Sequence, residues 1–227
     1  NQAEKARLDA LAADDWQGYA AATSQWYQVA LQYTDDQSIF FTADYYTYKN
    51  YYAAYDGLFG YAATARLMES YSQLSPTQLS QAVMEQKTGI QTVYRGLLDR
   101  LPLLFLSGTL FLAIDSLLKE RKHRSLFLAF PVAAEDILWV KTAAVMLCSL
   151  IMMLSTLGVI WLGTGLQFGF GSSSLPVAIF SADVDARYPI TSMEAFTTQS
   201  VGVFLLQCVG ALLVIQLIYT RLILLLS

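Results

Sequence analysis

Apolar and polar positions divide this chain into two unlike parts. From Asn1 to Arg100 they recur at three-and-four spacing, the period of helices that bury one side; from Leu101 onward they gather into three long apolar runs. The first run, Leu101 to Leu118, reads LPLLFLSGTLFLAIDSLL and reaches the roughly 18-residue length of a spanning helix. The second covers 139–165, with Trp139 and Trp161 near its ends. Their separation corresponds to about 33 Å of helix, close to the thickness of hydrocarbon, so they read as two interfacial aromatic belts. The third run, 201–221, is broken only by Gln207 and Gln216 before Arg221. Residues 222–227 begin a further apolar segment.

Within the first hundred residues, Asp14 and Asp15 precede Trp16, Tyr19, Ala20, Thr23, Trp26, Tyr27 and Ala30, an N-cap followed by helical periodicity. A second helix is expected from Gln37 to Asp56, with Gly57 and Gly60 marking its stop or bend. Ser75, Pro76 and Gln78 suggest a capping box that starts another helix, ending near Thr88 and Gly89. The region holds twelve of the chain's fourteen tyrosines. Two readings stand: an amphipathic surface that grips a peptide or lipid-like cargo, or rings that pack helices together and meet a membrane interface. The fold class expected is all-α, a polytopic membrane helical bundle with an extracytoplasmic helical domain over 1–100.

Composition sharpens this picture. Hydrophobic residues make up 55% and charged residues 14% of the chain, below the roughly 25% charged content of soluble domains. The formal charge is −4, and the few cations cluster rather than line a face, so no nucleic-acid partner is expected. Cys148 and Cys208 both lie in apolar runs and suggest no disulfide framework. A lipid bilayer is the expected surrounding.

Charge then orients the chain. Lys119, Arg121, Lys122, Arg124 and Lys141 flank the connection 119–138, which marks it as cytoplasmic by the positive-inside rule. The connection 166–200 carries Asp183, Asp185, Glu194 and a single cation, Arg187, and reads as an extracytoplasmic loop rich in glycine and serine. The Asp183–Asp185 pair could belong to a calcium site, but without further ligands at spacing a solvated loop accounts for it better. Asp115 reads as an i,i+4 partner of Lys119, with a proton relay as the alternative. Gln207 and Gln216 are expected to face other helices and are candidates for a transport path, while Gly202, Gly210 and Ala211 permit close helix approach. With 119–138 inside, 1–100 lies outside, so a membrane helix is expected before Asn1 and more segments after 227. An internal fragment of a larger permease fits that pattern, with a cleaved signal segment as the alternative for the start.

Glu120, Arg121, Leu126, Pro131, Val132, Ile137 and Lys141 together form a pattern: an acidic residue with basic neighbours, a short amphipathic segment, a proline–valine turn and a lysine opening the next helix. This resembles the membrane subunits of ABC exporters of the second class, the "ABC-two" permeases. Asp14-Asp15-Trp16-Gln17-Gly18-Tyr19 also looks like the start of the large external helical domain of Gram-positive members. The resemblance runs over Leu101 to Leu166 and is looser before it. The long connection after Leu166 departs from the short external ones of that family.

The resemblance implies a permease in the plasma membrane that moves a peptide, antibiotic or lipid-like compound out of the cell. It further implies pairing with a second permease subunit, identical or different, and with an ABC ATPase. Glu120, Arg121, Arg124, Leu126, Phe127, Phe130 and Pro131 would form the coupling segment that docks on that ATPase. The chain has no G-x-x-x-x-G-K-[ST] phosphate loop, so ATP and magnesium are expected on the partner and no cofactor on this chain. Catalytic and metal residues are not expected, and His123, the only histidine, reads as an exposed loop residue. Two other readings remain: a sensory or immunity component that binds an extracellular peptide without transporting it, and a permease of the mechanotransmission type.

Overall fold

A computed structural model describes residues 2–35, 51–122, 133–181 and 192–225. It divides into two compact units, Asn1–Lys87 with Ser172–Phe204, and Thr88–Gly171 with Leu205–Ser227.

The first unit is built on α1 (Gln2–Ala12), α2 (Trp16–Asp35) and α3 (Tyr51–Ser72). Asp15 starts α2 as its charge pattern predicts: its carboxylate accepts from the Gly18 amide at 2.9 Å, filling one of the donors a helix start leaves open. Small residues let α2 and α3 approach closely. Ala20, Ala62 and Ala65 are fully buried, and the buried Ser24 hydroxyl donates to the Ala65 carbonyl at 2.9 Å. Gln17 adds a 2.8 Å bond to the Ser72 carbonyl. Tyr27, Tyr61 and Tyr71 serve this packing. Tyr71 is 2% exposed, and Tyr27 and Tyr61 have ring centroids 5.4 Å apart. Burial, with Tyr61 beside it, pushes the Tyr27 hydroxyl above the usual tyrosine pKa.

Several sequence expectations change here. The helix α3 continues through Gly57 and Gly60 instead of stopping there. Ser75 makes no side-chain cap, and Pro76–Gln78 form only a 3-10 turn. It is Ser80 that caps the next helix, α4 (Gln81–Met84), accepting from the Val83 amide. Thr88 and Gly89 do not end a helix; they begin α5 (Gly89–Leu98). The expected stretch from Gln37 lies outside the described residues up to 50.

The connection 166–200 is also more than a solvated loop. Strands β1 (Pro176–Phe180) and β2 (Phe196–Ser200) pair antiparallel, with Val177 opposite Gln199 and Ile179 opposite Thr197. Glycine in this connection is confined to Gly169 and Gly171, followed by the serine run 172–174, whereas the strands carry the β-branched Val177, Ile179, Thr197 and Thr198. The hairpin packs on α3 through a cluster of rings: Phe59 lies 4.8 Å from Phe196 and 5.7 Å from Phe180. The described residues are predominantly helical, as expected, and the all-α reading is amended only by one two-stranded sheet among them. Asp183 and Asp185 lie outside them.

The second unit holds α5, α6 (Leu101–Lys122), α7 (Ala134–Phe168) and the greater part of α8 (Val201–Leu225). Three of these, α6, α7 and α8, are long and apolar enough to cross a membrane. The second is longer than its 139–165 apolar core, because Glu135 and Asp136 suit a helix first turn and extend it at the start. Val93, Leu97, Phe105, Met153 and Leu212 form one buried core that joins α5, α6, α7 and α8. Close to it, α5 and α7 nearly touch. A Cβ on Gly89 would lie 2.7 Å from the Trp161 carbonyl and 3.2 Å from the Gly165 Cα. After α7, Gly169 turns the chain at a φ of +88°, a backbone that favours glycine. The carbonyls of Gly169 and Phe170 then accept from the Gly89 and Ile90 amides at 3.0 and 3.1 Å. Those are two of the amides that a helix start leaves without partners, so the return of the chain caps α5.

Candidate functional site

In the second unit each spanning helix buries a narrow stripe and turns large apolar residues outward. On α6 the stripe is Phe105, Thr109 and Ala113, at a strict four-residue step. On α7 it is Thr142, Val145, Ser149 and Met153, and on α8 it is Leu212, Gln216, Thr220 and Leu224. Leu103, Phe111, Leu147, Val159, Leu206 and Ile218 are exposed. The buried stripes thus mix apolar residues with Thr109, Thr142, Ser149, Gln216 and Thr220, while the outward faces are rich in large apolar side chains, an arrangement suited to a lipid surrounding.

The polar positions of the stripes form a seam that is satisfied on one side and open on the other. Thr109 donates to the Phe105 carbonyl at 2.8 Å, which uses its only proton. Ser149, 2.7 Å away, must then be the donor to the Thr109 oxygen. Thr142 donates to the Leu138 carbonyl at 2.8 Å. On α8, by contrast, both amide atoms of Gln216 and the hydroxyl of Thr220 have no hydrogen-bond partner among the described residues, although both residues are 0% exposed. Leaving such groups unpaired costs about 1–3 kcal/mol each. The seam offers neutral donors and acceptors: hydroxyls and one carboxamide.

The two glutamines proposed from the sequence do not share a face. They stand nine residues apart on α8, half a revolution at 100° per residue, with Gln216 buried and Gln207 exposed. Trp139 and Trp161 stand on one helix, both are exposed, and each also has a stacked partner. The Arg221 guanidinium lies over Trp139 at 3.5 Å from the ring centroid, and Phe170 packs on Trp161 at 4.7 Å. Of the proposed coupling residues, Glu120 and Arg121 fall in the last turns of α6, where their side chains are not described. Arg124, Leu126, Phe127, Phe130 and Pro131 lie outside the described residues.

Sequence reasoning missed Thr109, Thr142, Ser149 and Thr220. The signal that could have found them is the four-residue step, which aligns Thr109 with Phe105 and Ala113, and Thr220 with Gln216 and Leu212. Comparison with protein-family models, with curated proteins and with solved structures found no match.

Proposed function

We propose that this chain is the permease subunit of an ATP-driven exporter of the ABC-two type. It moves a peptide, antibiotic or lipid-like substrate outward across the plasma membrane, with residues 1–100 on the outer side. The observation that carries this reading is the connection between α6 and α7. It sets Glu120 and Arg121 before Leu126, Phe127, Phe130 and Pro131, with Lys141 in the helix that follows. A coupling segment needs apolar side chains to fill a groove in the ATPase and charges to fix its register, and this run has both. Three candidate membrane helices are compatible with such a subunit. The partly open polar seam suits a bundle whose inner faces separate and close during transport.

The deciding experiment is co-purification of the ATPase subunit with the full permease, together with transport-stimulated ATP hydrolysis. Aromatic anchors dominate many interfaces, at about 2 kcal/mol or more each, so Phe127→Ala with Phe130→Ala should release or uncouple the ATPase while membrane insertion persists. Wild-type association and coupling in that double variant would remove the exporter reading. Binding of an external peptide without net flux would favour the sensory or immunity component instead.

A further inference from the structure

Arg221 is the only charged residue of α8 and follows a charge-free run, Val201 to Thr220, of about 30 Å along the helix. It therefore lies within the last turns of a candidate span that continues apolar to Leu225. Its guanidinium is stacked on Trp139, its Nη1 is buried without a hydrogen bond, and it forms no ion pair among the described residues. An arginine at that depth calls for an anion.

The same two helices supply an apolar groove next to it. Met146, Leu147 and Leu150 of α7 and Leu213, Val214 and Leu217 of α8 line a space of about 420 Å³. Leu213, Leu217 and Arg221 follow one another at four-residue steps on α8, and Trp139, Met146 and Leu150 fall on one face of α7. The groove and the cation are thus consecutive parts of one crevice, apolar towards the middle of the helices and cationic at the end.

We propose that this crevice holds one phospholipid with a net-negative head group. The head-group phosphate would accept from the Arg221 guanidinium, whose planar fork matches it, beside the Trp139 indole, and an acyl chain would fill the groove. Charge complementarity selects this occupant, since the groove alone would take any hydrocarbon. The proposal rests on the helices spanning a membrane and does not depend on the exporter reading.

The test uses the full chain purified in detergent and mixed with equal amounts of phosphatidylglycerol and phosphatidylcholine, with retained lipid counted by native mass spectrometry. Phosphatidylglycerol should be retained over phosphatidylcholine by on the order of tenfold, because the choline cation of phosphatidylcholine offsets the phosphate charge beside Arg221 whereas the glycerol head group leaves it net negative. In Arg221→Gln that preference should vanish. In Val214→Trp, which fills the groove at an exposed position and leaves Arg221 in place, retention of phosphatidylglycerol should fall by a similar factor. Equal retention of both lipids by the wild type would overturn the proposal. So would unchanged preference in Arg221→Gln, or unchanged retention in Val214→Trp. Displacement of the lipid by inorganic phosphate alone would reduce the site to a simple anion site and likewise refute it.

Discussion

Ser149 donates a hydrogen bond to Thr109 across the α6–α7 contact at 2.7 Å, and Thr109 passes its own proton to the Phe105 carbonyl one turn back. A side-chain bond between helices is thereby continued into a backbone bond within one of them. Cooperation of this kind polarises each member, and in a lipid surrounding no water competes for either.

Removing either hydroxyl should therefore weaken the helix pair by a modest, coupled amount. Ser149→Ala and Thr109→Val are each expected to cost about 0.6–1.7 kcal/mol in detergent-based unfolding. The double variant should cost less than the sum, because the second change finds the bond already gone. Strict additivity would show that the two hydroxyls do not interact.

The close approach of α5 to α7 makes a sharper contrast between glycines. Gly89→Ala places a methyl against the Trp161 carbonyl and the Gly165 backbone, none of which can swing aside, and should destabilise by about 1–3 kcal/mol. Gly158→Ala, on α7 with nothing within 4 Å, should be neutral or stabilising by up to about 1 kcal/mol. Thermal unfolding of the two variants side by side reads the difference.

Gln216 carries the opposite expectation from most buried residues. Replacing its unpartnered carboxamide by leucine, of similar size, should raise stability by about 1–3 kcal/mol. Should the exporter reading hold, transport should fall in the same variant, since a group retained at a cost to stability serves something else. Loss of stability in Gln216→Leu would show that the amide has a partner in the working protein.

Topology is open to chemical labelling. Cysteines introduced at Gln73 and Ser173, both exposed in the first unit, should react with an impermeant thiol reagent in intact cells. One at Ser125, in the basic connection, should react only after permeabilisation. Reaction at 125 alone would reverse the orientation.

The spanning helices were legible because length and hydropathy decide them without reference to any neighbour. Asp15 was legible for the same reason, as a cap acts within one turn of chain. What escaped were features that depend on contacts far along the sequence. The β-branched strands at 176–180 and 196–200 stand out only once they are paired and set against Phe59. Thr88 looked like a helix end because the carbonyls that cap α5 come from Gly169 and Phe170, some eighty residues later. Arg221 closes the third apolar run in the sequence, and only the fold brings Trp139 of α7 beneath it.

The spanning helices differ greatly in length, and that has a physical consequence. The candidate span of α7, 34 residues, measures about 51 Å, whereas that of α6, 18 residues, measures about 27 Å. A bilayer core of about 30 Å slightly exceeds the second and leaves about 20 Å of the first beyond it when upright. Thickening the bilayer by a few ångströms would simply cover more of α7, but it would outgrow α6 and draw its polar ends toward hydrocarbon. Tolerance of membrane thickness is thus set by the shorter helix, and hydrophobic mismatch would direct this protein toward thinner membranes.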